Sequence, residues 1–279
     1  RSKMFEVIRE MLSYPFLVRA ILVGLLVSLC ASLLGVSLVL KRFSMIGDGL
    51  SHVGFGALAI ASVANIAPLS LAIPVCIAAS FLLLRMSEST RIKGDAAIAM
   101  LSAGALAIGV MVVSMTTGMN TDVYNYMFGS ILSLSKADAT LSITLSAIVL
   151  VLFVLFYPRL FAVTFDESFS RATGIPTRAY NAALATLSSI TVVLGMRMMG
   201  ALLISSLIIF PVLTAMRIGK RYLTVTLLSA AVAIVGFALG MVISYVYEAP
   251  SGASIVCVNI VLFILFAIAG AIRNAVTKK

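Results

Sequence analysis

Residues 17–40 read LVRAILVGLLVSLCASLLGVSLVL, and Arg19 is the only charged residue in these 24 positions. An α-helix needs about 20 mainly apolar residues to cross the hydrocarbon core of a bilayer. Comparable apolar runs recur along the chain, in which 62% of the 279 residues are hydrophobic and 11% are charged. Because a soluble fold cannot bury so much apolar surface, the sequence predicts an all-α, polytopic membrane protein.

The apolar runs predict about eight or nine transmembrane helices in a single transmembrane domain that covers residues 1–279. Segment 49–66 is the doubtful member because it is short and rich in small residues, whereas 120–134 is too polar and too brief to span and is predicted as an outer-face helix. The predicted spans are 17–40, 49–66, 68–85, 95–116, 137–157, 180–196, 199–217, 222–247 and 251–273.

The net charge of +10 has a membrane explanation. Counted over nine spans, the basic clusters fall on one side, which the positive-inside rule makes cytoplasmic. No long basic stripe typical of a nucleic-acid-binding protein is present. The clusters contain Lys41 and Arg42; Arg85, Arg91 and Lys93; Arg159, Arg171 and Arg178; Arg217, Lys220 and Arg221; and Lys278 and Lys279.

Small residues and a proline inside the apolar runs predict details of helix packing. Gly104 and Gly109 recur at helical spacing, which lets neighbouring helices approach closely in lipid. Pro211 leaves a backbone carbonyl one turn earlier without its partner, so a kink or a break is predicted there.

The stretch KRFSMIGDGLSH, residues 41–52, joins the first predicted span to the second. It contains Asp48 and His52, the single histidine of the chain. If the second helix is already formed at this point, residues four apart lie one turn apart on the same face. Ionisable side chains are costly in a membrane and usually face a bundle interior or a water-filled path. Asp48 and His52 are therefore the candidate residues of a functional site.

A carboxylate oxygen together with an imidazole nitrogen suits zinc or manganese better than calcium or magnesium. Two ligands are too few to enclose an ion, but two copies of the chain around a two-fold axis would bring two of each together. The alternative is structural: Asp48 caps the amino terminus of its helix and His52 bonds to a neighbouring backbone group. Both interpretations stay open on the residues alone.

Two further acidic residues call for the same comparison. Asp95 begins a predicted span and Asp122 lies at the predicted outer face. Either residue could lie on an ion pathway, but each stands where a helix starts, so capping is the favoured interpretation for both.

Motifs for catalysis or ATP binding are not found in the sequence. It contains no Gly-x-x-x-x-Gly-Lys-Ser/Thr phosphate loop. Ser51 precedes His52, but adjacent positions on a helix do not face each other and no third residue orients them. The chain is therefore not predicted to be an enzyme, and the energy for any transport must come from another protein.

Four motifs together resemble the permease subunits of bacterial zinc and manganese ABC importers, and the resemblance covers nearly the whole chain. The sequence departs from many relatives after the Ser-His pair, where residues 53–57 read VGFGA instead of an apolar run that ends in Pro-Gly. The motifs are Gly-Asp-x-x-Ser-His at 47–52, Lys-x-Asp-x-Ala-Ile at 93–98, Asp122 followed by Phe-Gly-x-Ile-Leu at 128–132, and Phe-Asp-Glu at 165–167 leading to Gly-x-Pro at 174–176.

The resemblance implies a compact relative of the cobalamin importer's permease fold in the bacterial plasma membrane. It implies a homodimer that sits on two cytoplasmic ATP-binding subunits and receives zinc or manganese from an extracytoplasmic metal-binding protein. The ion would be cargo, and no permanently bound cofactor is expected. Segment 166–176 matches the coupling helix that docks into the ATPase, which assigns this role to Asp166, Glu167, Gly174 and Pro176.

Three other functions can be compared with this one. A proton-coupled secondary metal transporter would use the same Asp48 and His52 without an ATPase. An intramembrane metal-dependent enzyme would need three or more ligands and a base, which a single histidine makes improbable. An ABC permease for a chelated metal would keep the same architecture.

Overall fold

The computed structural model describes residues 9–11, 13–87, 94–116 and 135–277. In these ranges the protein is helical and contains no β-strand. Eight of the described helices are long and apolar enough to cross a membrane, which confirms the predicted all-helical polytopic fold. The helices are α1 (Pro15–Leu40), α2 (Ile46–Val63), α3 (Pro68–Ser87), α4 (Gly94–Ser114), α5 (Lys136–Phe165), α6 (Glu167–Ala172), α7 (Thr177–Met199), α8 (Ala201–Met216), α9 (Tyr222–Tyr247) and α10 (Ser251–Thr277).

The short apolar helix is α8 rather than the doubtful second span. Helix α2 has 18 residues, whereas α8 has 16. Gly200 has φ of +86° and lies between the end of α7 and the start of α8, so the helix is interrupted there. Pro211 lies inside α8, which continues through it to Met216. The interruption at Gly200 agrees with the predicted spans 180–196 and 199–217, and it occurs at a positive φ that glycine adopts readily. The helix does not break at Pro211, which was one of the two outcomes predicted for that residue.

The helices divide into an inner and an outer group. Most of the apolar length of α1, α2 and α7 is buried against other helices, whereas α4, α5 and α10 expose most of theirs. Several large apolar side chains on the outer helices are more than half exposed; among them are Val154, Leu155, Leu265 and Ile272. Lipid tails accept such surfaces without the cost that water would impose, so the outer face fits a bilayer.

Most of the described basic residues lie at one end of the bundle. Ser37 Oγ lies 2.9 Å from the hydroxyl of Tyr222, which brings the end of α1 to the start of α9. Arg273 donates to the carbonyl oxygen of Ile218 at 2.9 Å, which adds α10 to the same end. Lys41 reaches Glu167 at this end as well. By the positive-inside rule this is the cytoplasmic end.

Helix α2 packs closely against α4 through glycine. A Cβ added at Gly56 would lie 2.8 Å from the carbonyl oxygen of Ala105, and one at Gly109 would lie 2.7 Å from the ring of Phe55. The two backbones approach because neither glycine carries a side chain. Gly104 has no atom within 4 Å of such a position, so the close approach predicted for it is wrong.

Several predicted features lie outside the described residues. They are the outer-face helix at 120–134, Asp122 with its following motif at 128–132, and the basic residues Arg91, Lys93, Lys278 and Lys279.

Candidate functional site

Asp48 and His52 lie one turn apart on α2. The helix begins at Ile46 after the N-cap residue Met45, so residue 48 is already helical. The Nε2 atom of His52 lies 3.8 Å from Oδ2 of Asp48. Two ligands of a tetrahedral zinc ion stand about 3.4 Å apart, so small side-chain adjustments would let both residues reach one ion.

The pair lies at half the height of the bundle. Cys76, near the midpoint of α3, directs its sulfur at the carbonyl oxygen of Leu50 at 3.6 Å. Ser189, near the midpoint of α7, donates to the carbonyl oxygen of Cys76 at 3.3 Å. With a rise of about 1.5 Å per residue, Asp48 and His52 lie about 3 Å on either side of Leu50. Both side chains therefore lie about level with the midpoints of α3 and α7.

The carboxylate of Asp48 is open to its surroundings. The Asp48 side chain is 42% exposed and that of His52 is 22% exposed. A charge at this depth is costly against lipid tails, so this face of α2 must border water or another polypeptide. The arrangement does not match the capping alternative, because the N-cap position belongs to Met45 and the described partners of the Asp48 side chain are His52 and Ser205.

Ser205 was not found by the sequence analysis. It lies on α8, and its Oγ is 3.4 Å from Oδ1 of Asp48. Helix α8 reaches α2 at this point, where a Cβ on Gly47 would lie 2.6 Å from the end of the Ile208 side chain. The available signal is the pair Ser205-Ser206 inside an otherwise apolar helix, but serines in such helices often bond only to their own backbone.

Within the described part of one chain, Asp48 and His52 do not complete a closed metal site. The described residues contain no group of three or more His, Cys, Asp or Glu side chains that could hold a metal ion. The described residues of a single copy therefore offer one carboxylate and one imidazole at this place, whereas zinc usually takes four ligands.

The other two acidic candidates lie apart from this pair in the chain. Asp95 is exposed in the first turn of α4, which begins at Gly94. It is thus the second helical residue rather than the N-cap. Its negative charge there interacts favourably with the positive end of the helix dipole. Asp122 lies outside the described residues.

Segment 166–176 forms a short helix and a turn at the basic end. Asp166 is the N-cap of α6 and accepts a hydrogen bond from the backbone N–H of Phe169 at 2.8 Å. Gly174 has φ of +84° and turns the chain after α6. Pro176 is the residue before α7. The Phe169 side chain is 66% exposed, which gives this short helix an apolar outer face.

Glu167 points towards the bundle and pairs with two basic residues. Its carboxylate oxygens lie 3.2 Å from Lys41 Nζ and 3.2 Å from Arg171 Nη2. Partial burial raises the pKa of Glu167, but the Asn181 side chain and the charges of Lys41 and Arg171 outweigh it, so the pKa lies below its ordinary value. Glu167 is thus held in its charged form.

Comparisons with known proteins agree with this architecture. The chain matches the ABC 3 transport family over residues 13–270. It is 28% identical to the manganese transport system membrane protein MntC of Halalkalibacterium halodurans, over 92% of this chain and 88% of that protein. It is 30% identical to a protein of Haemophilus influenzae named "Probable iron transport system membrane protein", over 94% of this chain and 96% of that protein. A chain in the structure of PsaBC from Streptococcus pneumoniae in complex with Fab superimposes with a TM-score of 0.84 at 26% identity, over 94% of each chain.

Proposed function

Because this chain belongs to the ABC 3 transport family, we propose that it is the permease subunit of an ATP-driven importer that carries a divalent transition metal ion into the cytoplasm. The chain is a multi-pass protein of the bacterial plasma membrane and a transport subunit rather than an enzyme. Membership in this family disfavours both a proton-coupled secondary transporter and an intramembrane enzyme.

The observation that carries the proposal is the position of Asp48 and His52. A carboxylate and an imidazole lie 3.8 Å apart, at half the height of the bundle and on a face where the carboxylate is 42% exposed. An ion that has lost its water needs such ligands midway across a membrane, and it must also be released again. Two ligands per chain suit transient binding better than a permanent structural site.

Manganese is the first choice for the ion. Oxygen and nitrogen ligands suit manganese, iron and zinc alike, so the ligand types do not select one of them. The names of the relatives favour manganese, with iron second. Zinc remains the alternative with the same ligand chemistry.

A second copy of the chain would complete the site. A two-fold axis next to the exposed face of α2 would bring two Asp48 and two His52 side chains together and would shield the carboxylates from lipid. The structure of the assembled transporter tests this directly. Histidines that point to lipid, or that lie tens of ångströms apart, would contradict a shared site.

The remaining partners are an ATPase and a metal-binding protein. The sequence has no phosphate loop of its own, so ATP hydrolysis belongs on a cytoplasmic subunit. Segment 166–176, with Asp166, Glu167, Gly174 and Pro176, lies at the basic end and is the proposed docking element for that subunit. An extracytoplasmic binding protein would deliver the ion at the opposite end.

Reconstitution tests the proposed function. The permease is placed in liposomes with and without its ATPase subunit, and the metal-loaded extracytoplasmic binding protein is supplied at the opposite face. Uptake of Mn²⁺, Zn²⁺ and Fe²⁺ is then measured with ATP and with a non-hydrolysable analogue. We expect uptake of Mn²⁺ that requires both the ATPase and hydrolysis. Uptake driven by a proton gradient in the absence of ATP would overturn the proposal.

A further inference from the structure

Lys41 joins three parts of the chain at the basic end of the bundle. It is the residue after α1, and its side chain is only 10% exposed. Its Nζ atom lies 3.2 Å from Glu167 Oε2 and 2.6 Å from Asn181 Oδ1. One ammonium group therefore connects the end of α1 with the first residue of α6 and with the second turn of α7.

The chain that follows Lys41 is tightly bonded to itself. Arg42 takes a left-handed conformation with φ of +62°. Its backbone N–H bonds to the carbonyl oxygen of Val39, and that of Phe43 bonds to Leu38, which closes the end of α1 in a Schellman arrangement. The N–H of Ile46 then bonds to the carbonyl oxygen of Phe43, and α2 begins. Five residues separate the two helices, and these hydrogen bonds restrict how far α1 and α2 can move relative to each other.

The same link places Asp48 in the bundle. Phe43 and Ile46 line a small cavity together with Leu84 and Leu184, and Phe43 also packs against the main hydrophobic core. The third residue of α2 is Asp48, seven positions after Lys41. A shift of Lys41 is therefore passed through a short, packed segment to the helix that carries Asp48 and His52.

Charge keeps Lys41 attached to α6. An ammonium group that is nine-tenths buried is costly unless it is paired, and Glu167 supplies the charge while Asn181 supplies a second acceptor. If α6 moves, Lys41 must either follow it or lose its ion pair. Helix α6 itself packs on α5 and α7, so the contact of Glu167 with Lys41 adds α1 to its connections.

We propose that the contact of Lys41 with Glu167 and Asn181 is the connection through which movement of segment 166–176 reaches α2 and the Asp48–His52 pair. This inference rests on the proposed function, and it makes Lys41 a positioning residue for transport rather than a ligand of the ion. It also assigns Glu167 an inward role, whereas the exposed face of α6 around Phe169 is left for the ATPase.

The test measures ions transported per ATP hydrolysed in liposomes that contain the permease and its ATPase, with the metal-loaded binding protein supplied at the opposite face. Lys41→Met keeps most of the side-chain length but removes the charge. We expect this variant to bind the ATPase and to hydrolyse ATP while the transport ratio falls at least about fivefold, the lower end of typical coupling effects. Exchanging the two charges, Lys41→Glu with Glu167→Lys, should recover at least about half of the ratio, because the pair is restored in reverse.

Asp138→Asn is the matched control. It breaks the ion pair with Arg197, which is 3.4 Å long, similarly buried and at the opposite end of the bundle. Its transport ratio should stay within about twofold of the wild type, because this pair lies outside the proposed connection. An unchanged ratio in both Lys41→Met and the isosteric Glu167→Gln overturns the inference. A loss of ratio in Asp138→Asn as large as in Lys41→Met also overturns it, because the effect would then be general loosening.

Failure of the proposed function would look different. In that case the wild-type complex itself would show no ATP-dependent uptake of Mn²⁺, whichever variants were compared with it.

Discussion

The hydroxyl oxygen of Ser205 lies 3.4 Å from a carboxylate oxygen of Asp48, across 157 residues of chain. The same oxygen lies 3.3 Å from the carbonyl oxygen of Ala201, one turn earlier on α8. A hydroxyl group has one hydrogen to donate, so these two acceptors compete for it. The Ser205 hydroxyl can therefore donate to the Asp48 carboxylate, and it can donate to the carbonyl oxygen of Ala201 instead when an ion binds that carboxylate.

Replacing Ser205 by Ala should weaken binding of the ion about tenfold, because groups that orient a metal ligand typically contribute this much. Equilibrium binding of Mn²⁺ to the purified transporter measures the effect. Ser206→Ala is the matched control, since the neighbouring hydroxyl oxygen is buried and has no hydrogen-bond partner among the described residues. Ser205→Thr keeps the hydroxyl and should bind nearly as well as the wild type, and equal losses in the Ser205 and Ser206 alanine variants would contradict the role of Ser205.

His52→Ala should lower ATP-dependent uptake at least about tenfold. Removing a metal ligand should reduce activity at least as much as removing a residue that orients a ligand. Uptake is measured in liposomes with equal amounts of inserted protein. Ser80→Ala is a suitable control, as this buried serine of α3 bonds only to the carbonyl oxygen of Ile77 on its own helix among the contacts described. Near-normal uptake by the His52 variant would remove histidine from the ion pathway.

The ion pair of Glu167 should make the stability of the folded permease depend on pH. The pKa of Glu167 is lower in the folded protein than its ordinary value of 4.5, so its stabilising effect is present above about pH 4.5 and is lost as the pH falls through the folded pKa. The melting temperature of the purified permease, compared with that of Glu167→Gln, measures this. The wild type should exceed the variant at pH 6, and the difference should shrink towards pH 3.5. A difference that grows in acid would mean that the sign is wrong.

Gly174→Ala should lower the free energy of unfolding by about 1 kcal/mol, because φ of +84° is unfavourable for a residue with a Cβ atom. The space around Gly174 is open, so the cost is conformational rather than steric. Gly104→Ala is the matched control: its surroundings are also open, but it lies inside α4. Alanine there should be neutral or stabilise by about 0.5 kcal/mol, as helix propensity predicts. Thermal unfolding in detergent compares the two variants, and equal effects would contradict the argument.

The sequence predicted those features that depend on local periodicity. Apolar length identified the spanning helices, and the four-residue spacing of Asp48 and His52 gave their common face once α2 was helical at its start. Ser205 could not be found in this way, because its contact with Asp48 depends on how α8 packs against α2. Two serines in an apolar helix are equally compatible with bonds to their own backbone, and Ser205 does approach the carbonyl oxygen of Ala201 on its own helix.

The sequence predicted at which end of the bundle Lys41 lies, but not which side chains it contacts. Lys41 was assigned to the basic end by the distribution of lysine and arginine, which acts on topology and says nothing of partners. Its contacts with Glu167 and Asn181 join segments more than 120 residues apart. The predicted spans 180–196 and 199–217 placed the interruption between α7 and α8 to within a few residues, but the positive φ of Gly200 that produces it is visible only in the structure.

The tight link between α1 and α2 also limits how this gene can vary in length. Each residue added to a helix changes its phase by about 100°, and the bonded segment from Lys41 to Met45 has no loop in which an extra residue could be absorbed. An insertion there would turn Asp48 and His52 away from their face or would break the closure at Arg42. Natural selection can therefore tolerate single substitutions in this segment, whereas it should remove insertions and deletions.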